Sequence, residues 1–124
     1  MPWIDESLDP DTGRWIDFGE YPLTRGRHYN HSTYCDLIVT GLIGLRPRAD
    51  DMIEINPLVG NSTWDWFCME RIPYHGHQIA VIWDRKGKKY GLGKGLMVFV
   101  DGKESGRRRD LGIIKIRCRS LETL

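Results

Sequence analysis

Residues able to do chemistry are scattered along this chain. The histidines fall into two short-range pairs, His28-x-x-His31 and His75-x-His77. A zinc site needs further Cys, His or carboxylate ligands at close spacing, and neither pair has such a cluster nearby in sequence, so no metal and no cofactor is expected. Ser32 follows His31 directly, and adjacent residues on a helix do not face one another, so a Ser/His/Asp triad has no support. Gly91-x-Gly93-x-Gly95 has the look of a phosphate cradle, but a dinucleotide fingerprint needs a helix after it. Here the strand-like Leu96–Val100 follows, so the glycines read as a loop. The nearby lysines, with Arg107-Arg108-Arg109, read as a solvated edge that discourages sheet-to-sheet pairing. Glu6, taken alone, reads as a surface carboxylate in a loop.

Five Trp, five Tyr and fourteen Gly in 124 residues are unusual. Aromatic planes with many turns suit an all-β architecture. They also suit sugar binding, because indole faces stack on pyranose rings. Trp64 and Trp66, at i and i+2, share a face if they lie in a strand. They form a platform with Trp83 if that face is solvent, and packing if it is core. Packing is the expectation.

The chain is one domain in length, with 40% apolar and 28% charged residues, so it is globular. Its formal net charge of +1 provides no global field for nucleic acid or membrane surfaces. No run of 18 apolar residues occurs, so no helix spans a bilayer. Met1–Glu6 is acidic and lacks an apolar core, so it is not a secretory leader, and the default expectation is cytoplasmic. Cys35, Cys68 and Cys118 are odd in number and dispersed, and are expected to be buried thiols.

The elements that must position these residues are mainly β. Residues 1–29 show no sustained period, and Asp9-Pro10-Asp11-Thr12-Gly13 is a dense turn signal. A helix is expected from Asn30 or Ser32, both good N-caps. Tyr34, Ile38, Leu42 and Leu45 share one face, and Gly44 and Pro47 form the stop. Strands follow at 52–56, ended by Pro57, and at 64–74, 78–84, 96–100 and 111–118, with tight turns at Gly76 and Asp101-Gly102. Lys103–Asp110 reads as a polar connection. The expected fold is an antiparallel β-sandwich preceded by an irregular N-terminal segment and a single α-helix.

This order resembles the end of the catalytic domain in glycoside hydrolases with an (α/α)6 toroid. That group includes processing α-glucosidases, trehalases and mannosylglycerate hydrolases, and more loosely α-L-rhamnosidases. The resemblance rests on Glu6 before the Asp9-Pro10-Asp11-Thr12-Gly13 turn, on the polar and aromatic Asn30–Tyr34 stretch opening a helix, and on Gly44-Leu45-Arg46-Pro47 closing it ahead of the sandwich. It covers about residues 2–103. Where the group usually carries Trp-Ser, this chain carries His31-Ser32.

The resemblance implies that residues 1–47 end a helical-toroid catalytic domain and that 48–124 form its C-terminal sandwich. It implies Glu6 as the general base of an inverting hydrolase, with Trp3, His31 and Tyr34 lining the sugar pocket. The general acid of such enzymes lies upstream, so the chain is expected to be an inactive C-terminal fragment. Its partners are then carbohydrate and an upstream catalytic domain. Two other readings follow from the residues: a carbohydrate-binding sandwich, or an interaction module forming a homodimer through the helix face.

Overall fold

The structure, a computed structural model, describes residues 9–14 and 34–118. The chain divides into two compact units, Met1–Leu37 and Ile38–Leu124. In the first, Asp9 to Arg14 close a tight turn. The Asp9 carboxylate accepts from the N–H groups of Asp11 (2.9 Å) and Thr12 (3.1 Å). Its carbonyl accepts from Gly13 at 2.8 Å, and Gly13 adopts φ +68°. The Asp-Pro-Asp-Thr-Gly signal therefore does what its residue types demand.

The second unit is a β-sandwich of two antiparallel sheets. Strands β1 (Leu45–Arg46), β2 (Met52–Ile55) and β7 (Ile114–Arg117) form one sheet in the order β1-β2-β7. The other runs in the order β3-β4-β5-β6, from β3 (Trp66–Tyr74), β4 (His77–Asp84), β5 (Gly95–Val100) and β6 (Lys103–Arg108). Alternation drives the packing. Ile53 and Ile55 of β2 and Ile114 and Ile116 of β7 face Ile79, Val81 and Trp83 of β4 and Leu96, Val98 and Val100 of β5 in one core. Both tight turns are hairpins with two left-handed residues: His75 (φ +49°) with Gly76 (φ +80°), and Asp101 (φ +50°) with Gly102 (φ +81°).

The helix departs from expectation in two ways. It is α-wound only over Tyr34–Asp36 and π-wound over Leu37–Ile43, and the Gly44 N–H donates to the Val39 carbonyl five residues back. The unbroken apolar run Leu37-Ile38-Val39 with Leu42-Ile43 supplies side chains at four- and five-residue spacing, which a wider turn brings to one side. Ile38, Val39 and Leu42 pack against the sandwich core, and Ile43 is buried in it. Leu45, expected on the helix face, instead opens β1 and pairs with Ile55. The stop is Gly44, not Pro47. Gly44 sits at φ +89° with its Cα so close to Asn56 that an added Cβ would lie 2.2 Å from that carbonyl carbon. There the Asn56 N–H donates to the Gly44 carbonyl at 2.7 Å, and the Arg46 guanidinium donates to the Asn56 carbonyl at 3.1 Å.

Two more expectations are corrected. Lys103–Arg108 is an edge strand despite its polar sequence, because the Asp101-Gly102 hairpin imposes its register on β5. Gly106 lies so near the other sheet that a Cβ would meet Ile114 Cγ2 at 2.7 Å. Of the three thiols only Cys118 is buried; Cys35 and Cys68 are exposed. Cys35 lies in the short α-wound turn, which buries no residue, and Cys68 is on the face of β3 opposite Phe67.

Glycine substitutions separate steric from conformational demands. Gly44→Ala should lower the unfolding free energy by more than about 3 kcal/mol, since it combines a positive φ with a backbone clash. Gly102→Ala, whose Cβ would meet nothing within 4 Å, should cost about 1–2 kcal/mol for its φ alone. Urea unfolding of the two variants checks the ranking; equal costs would contradict it.

Candidate functional site

Of the residues the sequence offered for a sugar pocket, Glu6, Trp3 and His31 lie outside the described residues. Tyr34 opens the helix and is 63% exposed. The structure therefore gives no geometry joining these four. The histidine pair His75-x-His77 is divided between two neighbours: His75 stacks on Tyr74 with ring centroids 4.1 Å apart, and His77 Nδ1 meets the Asp101 carboxylate at 2.6 Å. Asp101 also accepts from the Gln78 N–H at 2.9 Å, so it ties the two hairpin ends of the sheet together. That backbone bond, with His77 second, holds its carboxyl below the usual range.

A second aromatic cluster is built where β3 begins. Trp64 and Trp66 are 40% and 50% exposed, which corrects the expectation of core packing, whereas Trp83 is buried at 1% and is lost to any platform. The reason lies in the sheet order. β3 is an edge strand, Trp64 precedes it, and Trp66 starts it on the face away from the core. Phe67, one residue on, turns inward, and Trp64 meets its ring edge-on at 6.2 Å.

This corner is held from behind by β4. The Trp83 indole N–H donates to the Trp64 carbonyl at 3.0 Å, and the Arg85 N–H donates to the Asp65 carbonyl at 2.9 Å. The Asp65 carboxylate pairs with the Arg85 guanidinium, and Lys86 Nζ stands 3.9 Å away. Between Thr63 and Cys68 an open depression of about 610 Å³ runs along the chain.

The Gly-rich loop from Arg85 to Lys94 completes the corner, and its anchor is a residue the sequence reading passed over. Asp84 is 2% exposed, and its carboxylate accepts from the N–H groups of Gly87 (2.8 Å), Lys89 (2.8 Å) and Tyr90 (3.2 Å). Burial alone would raise its pKa, but these backbone donors outweigh it and the carboxyl sits below its ordinary value. Arg107 clamps the loop from β6, donating to the carbonyls of Leu92 (2.8 Å) and Lys94 (3.1 Å). Thus Arg107, expected to be merely solvated, is structural. The loop carries Tyr90 to the Trp66 edge at 6.4 Å and Lys89 to the Trp66 face at 4.1 Å. Cys68 has its thiol pushed up by burial and then by Glu70, so it stays protonated at neutral pH. The only early signal for Asp84 was an acidic residue ending an apolar strand just before a run of glycines.

The chain belongs to the glycosyl hydrolase family 65 C-terminal domain family, whose model matches residues 45–106. That range runs from β1 to the middle of β6. The fold is also similar to a solved structure described as a sialidase, with 50% identity and a TM-score of 0.83 over 93% of this chain. The chain spans about 10% of the length of that protein.

Asp84 predicts an acid sensitivity. A carboxyl whose folded pKa is depressed contributes stability that is fully present above its unfolded pKa of about 3.9. The contribution is lost as pH falls through the folded value. Asp84→Asn should therefore lower stability at pH 7 by about 1–3 kcal/mol and flatten the loss of stability below pH of about 4. Urea midpoints between pH 2.5 and 7 test this; parallel curves for both proteins would contradict it.

Proposed function

We propose that this glycoside hydrolase C-terminal domain ends a catalytic polypeptide and supplies its general base, Glu6. In this reading residues 1–47 close a helical toroid, and Leu45–Arg46 hand over to the sandwich as its first strand. Glu6 takes a proton from water on one face of the sugar. A carboxylic acid from polypeptide beyond these 124 residues protonates the leaving oxygen on the other face. Inversion requires the two carboxyl groups to be about 6.5–9.5 Å apart, leaving room for that water. Trp3, His31 and Tyr34 line the pocket, and carbohydrate is the substrate class.

The observation that carries this reading is the closed Asp9–Arg14 turn. Its hydrogen bonds fix the backbone three residues beyond Glu6, as a base held beside a sugar requires. Family membership and the share of the similar sialidase that the chain covers support it. One described helix, Tyr34–Ile43, leaves the rest of a toroid to other polypeptide. The chain alone, with one carboxylate of the pair, is then inactive.

Two measurements test it. The isolated 124-residue chain should not turn over aryl glucosides or an aryl sialoside. In the longer polypeptide that carries this segment, Glu6→Gln should lower kcat about 10²–10⁴-fold with little change in KM. Turnover by the isolated chain, or an unchanged kcat in Glu6→Gln, would overturn the assignment.

A further inference from the structure

We propose that the corner formed by Trp64, Trp66 and the Arg85–Lys94 loop binds an acidic saccharide, a short run of sugar rings bearing carboxylate or sulfate groups. The proposal uses none of the residues assigned to catalysis, and its test does not depend on the assignment of the general base.

The shape comes first. The depression is shallow and open, lined by the consecutive residues Thr63 to Cys68, and the Arg85–Lys94 loop reaches it through Lys89 and Tyr90 at the Trp66 ring. Trp66 at the start of the edge strand and Trp64 just before it are each half-exposed and leave apolar ring area in water. Sugar rings, apolar on their C–H faces and polar at their rims, cover such area without leaving hydroxyl groups unsatisfied. The corner is also rigid. Trp64 and Asp65 are fixed through their carbonyls by Trp83 and Arg85, and the loop is fixed by Asp84 and Arg107. A preorganised site loses little freedom on binding.

Charge sets the ligand class. The loop holds five cations, Arg85, Lys86, Lys88, Lys89 and Lys94, in a chain whose net charge is only +1. Of the carboxylates near them, Asp65 is shared by Arg85 and Lys86, Asp84 is buried and filled by backbone N–H groups, Glu104 is paired with Arg107, and Glu70 acts on Cys68. Lys88, Lys89 and Lys94 are exposed and have no carboxylate partner among the described residues. Lys89 rests on the Trp66 ring at 4.1 Å. A cation–π contact at an exposed site is weak, so the ammonium exchanges readily for a ligand carboxylate or sulfate while the indole takes a sugar ring. A nucleic acid would use the same cations, but in a chain with a net charge of +1 whose Arg107 is already held by Glu104 and the loop carbonyls, they make a short patch and not the extended track that phosphate backbones need.

Titration calorimetry on the 124-residue chain tests the site with trigalacturonate and with its neutral methyl ester, which keeps the rings and removes the charge. The acid should bind about tenfold tighter than the ester at low salt and lose most of that advantage near 0.5 M NaCl. Trp66→Ala should weaken both ligands about tenfold or more, and Trp66→Phe should retain most of the affinity. Lys88→Gln with Lys89→Gln should abolish the preference for the acid while leaving ester binding intact. Circular dichroism confirms that each variant is folded, and the Phe and Gln variants keep the test decisive if Trp66→Ala is not. No saturable binding, equal affinity for acid and ester, an unaffected Trp66→Ala, or tighter binding of a ten-residue oligothymidylate would each overturn the proposal.

Discussion

The buried carboxylate of Asp84 is the interaction on which the shape of one whole end of the sandwich depends. A charged group taken out of water is tolerated only when its lone pairs are filled. Here the donors are backbone N–H groups of the loop that follows, so satisfying the charge and folding the loop are one event. The loop then lies over the outer face of the four-stranded sheet. Met97, on the face of β5 opposite Leu96 and Val98, is fully buried.

The same loop creates the polar and aromatic surface. Tyr90 and Lys89 reach Trp66 because Asp84 ends the loop's freedom on one side and Arg107 ends it on the other. On the three-stranded sheet an ion-pair group plays a comparable but more exposed role. Arg48 joins Asp50 and Glu54, and Lys115 lies 3.9 Å from Glu54. The Arg48 guanidinium holds the Asp50 carboxyl down to about 2. Because this group faces water, its contribution to stability is screened. The Tyr74 hydroxyl accepts the Arg48 N–H at 3.0 Å and so links β3 to the segment after β1.

Membership of a glycosyl hydrolase C-terminal family places the sandwich beside sugar chemistry without making it the site of that chemistry. Two separate features carry functional meaning. One is the Asp9–Arg14 turn, which follows in sequence the residue proposed as general base, Glu6. The other is the tryptophan corner, which needs nothing outside the chain. They lie in different compact units.

Local physics was legible in the sequence wherever one residue type dictates the backbone. Asp9-Pro10-Asp11-Thr12-Gly13 made its turn, Asp101-Gly102 its hairpin, and Gly44 its left-handed stop. Period-2 alternation marked β2, and short apolar runs bounded by turn signals marked β4 and β5, and with them the antiparallel sandwich and its core. Where partners are distant, the sequence was silent. Lys103–Arg108 became a strand because β5 lay ready beside it, and Leu45 left the helix because Ile55 was its neighbour. Trp64 and Trp66 had no local mark separating core from surface; that was decided by β3 falling at the sheet edge. Asp84 and Arg107 acquired their roles from groups brought to them by folding, which is why a charge that reads as solvated in one dimension becomes an anchor in three.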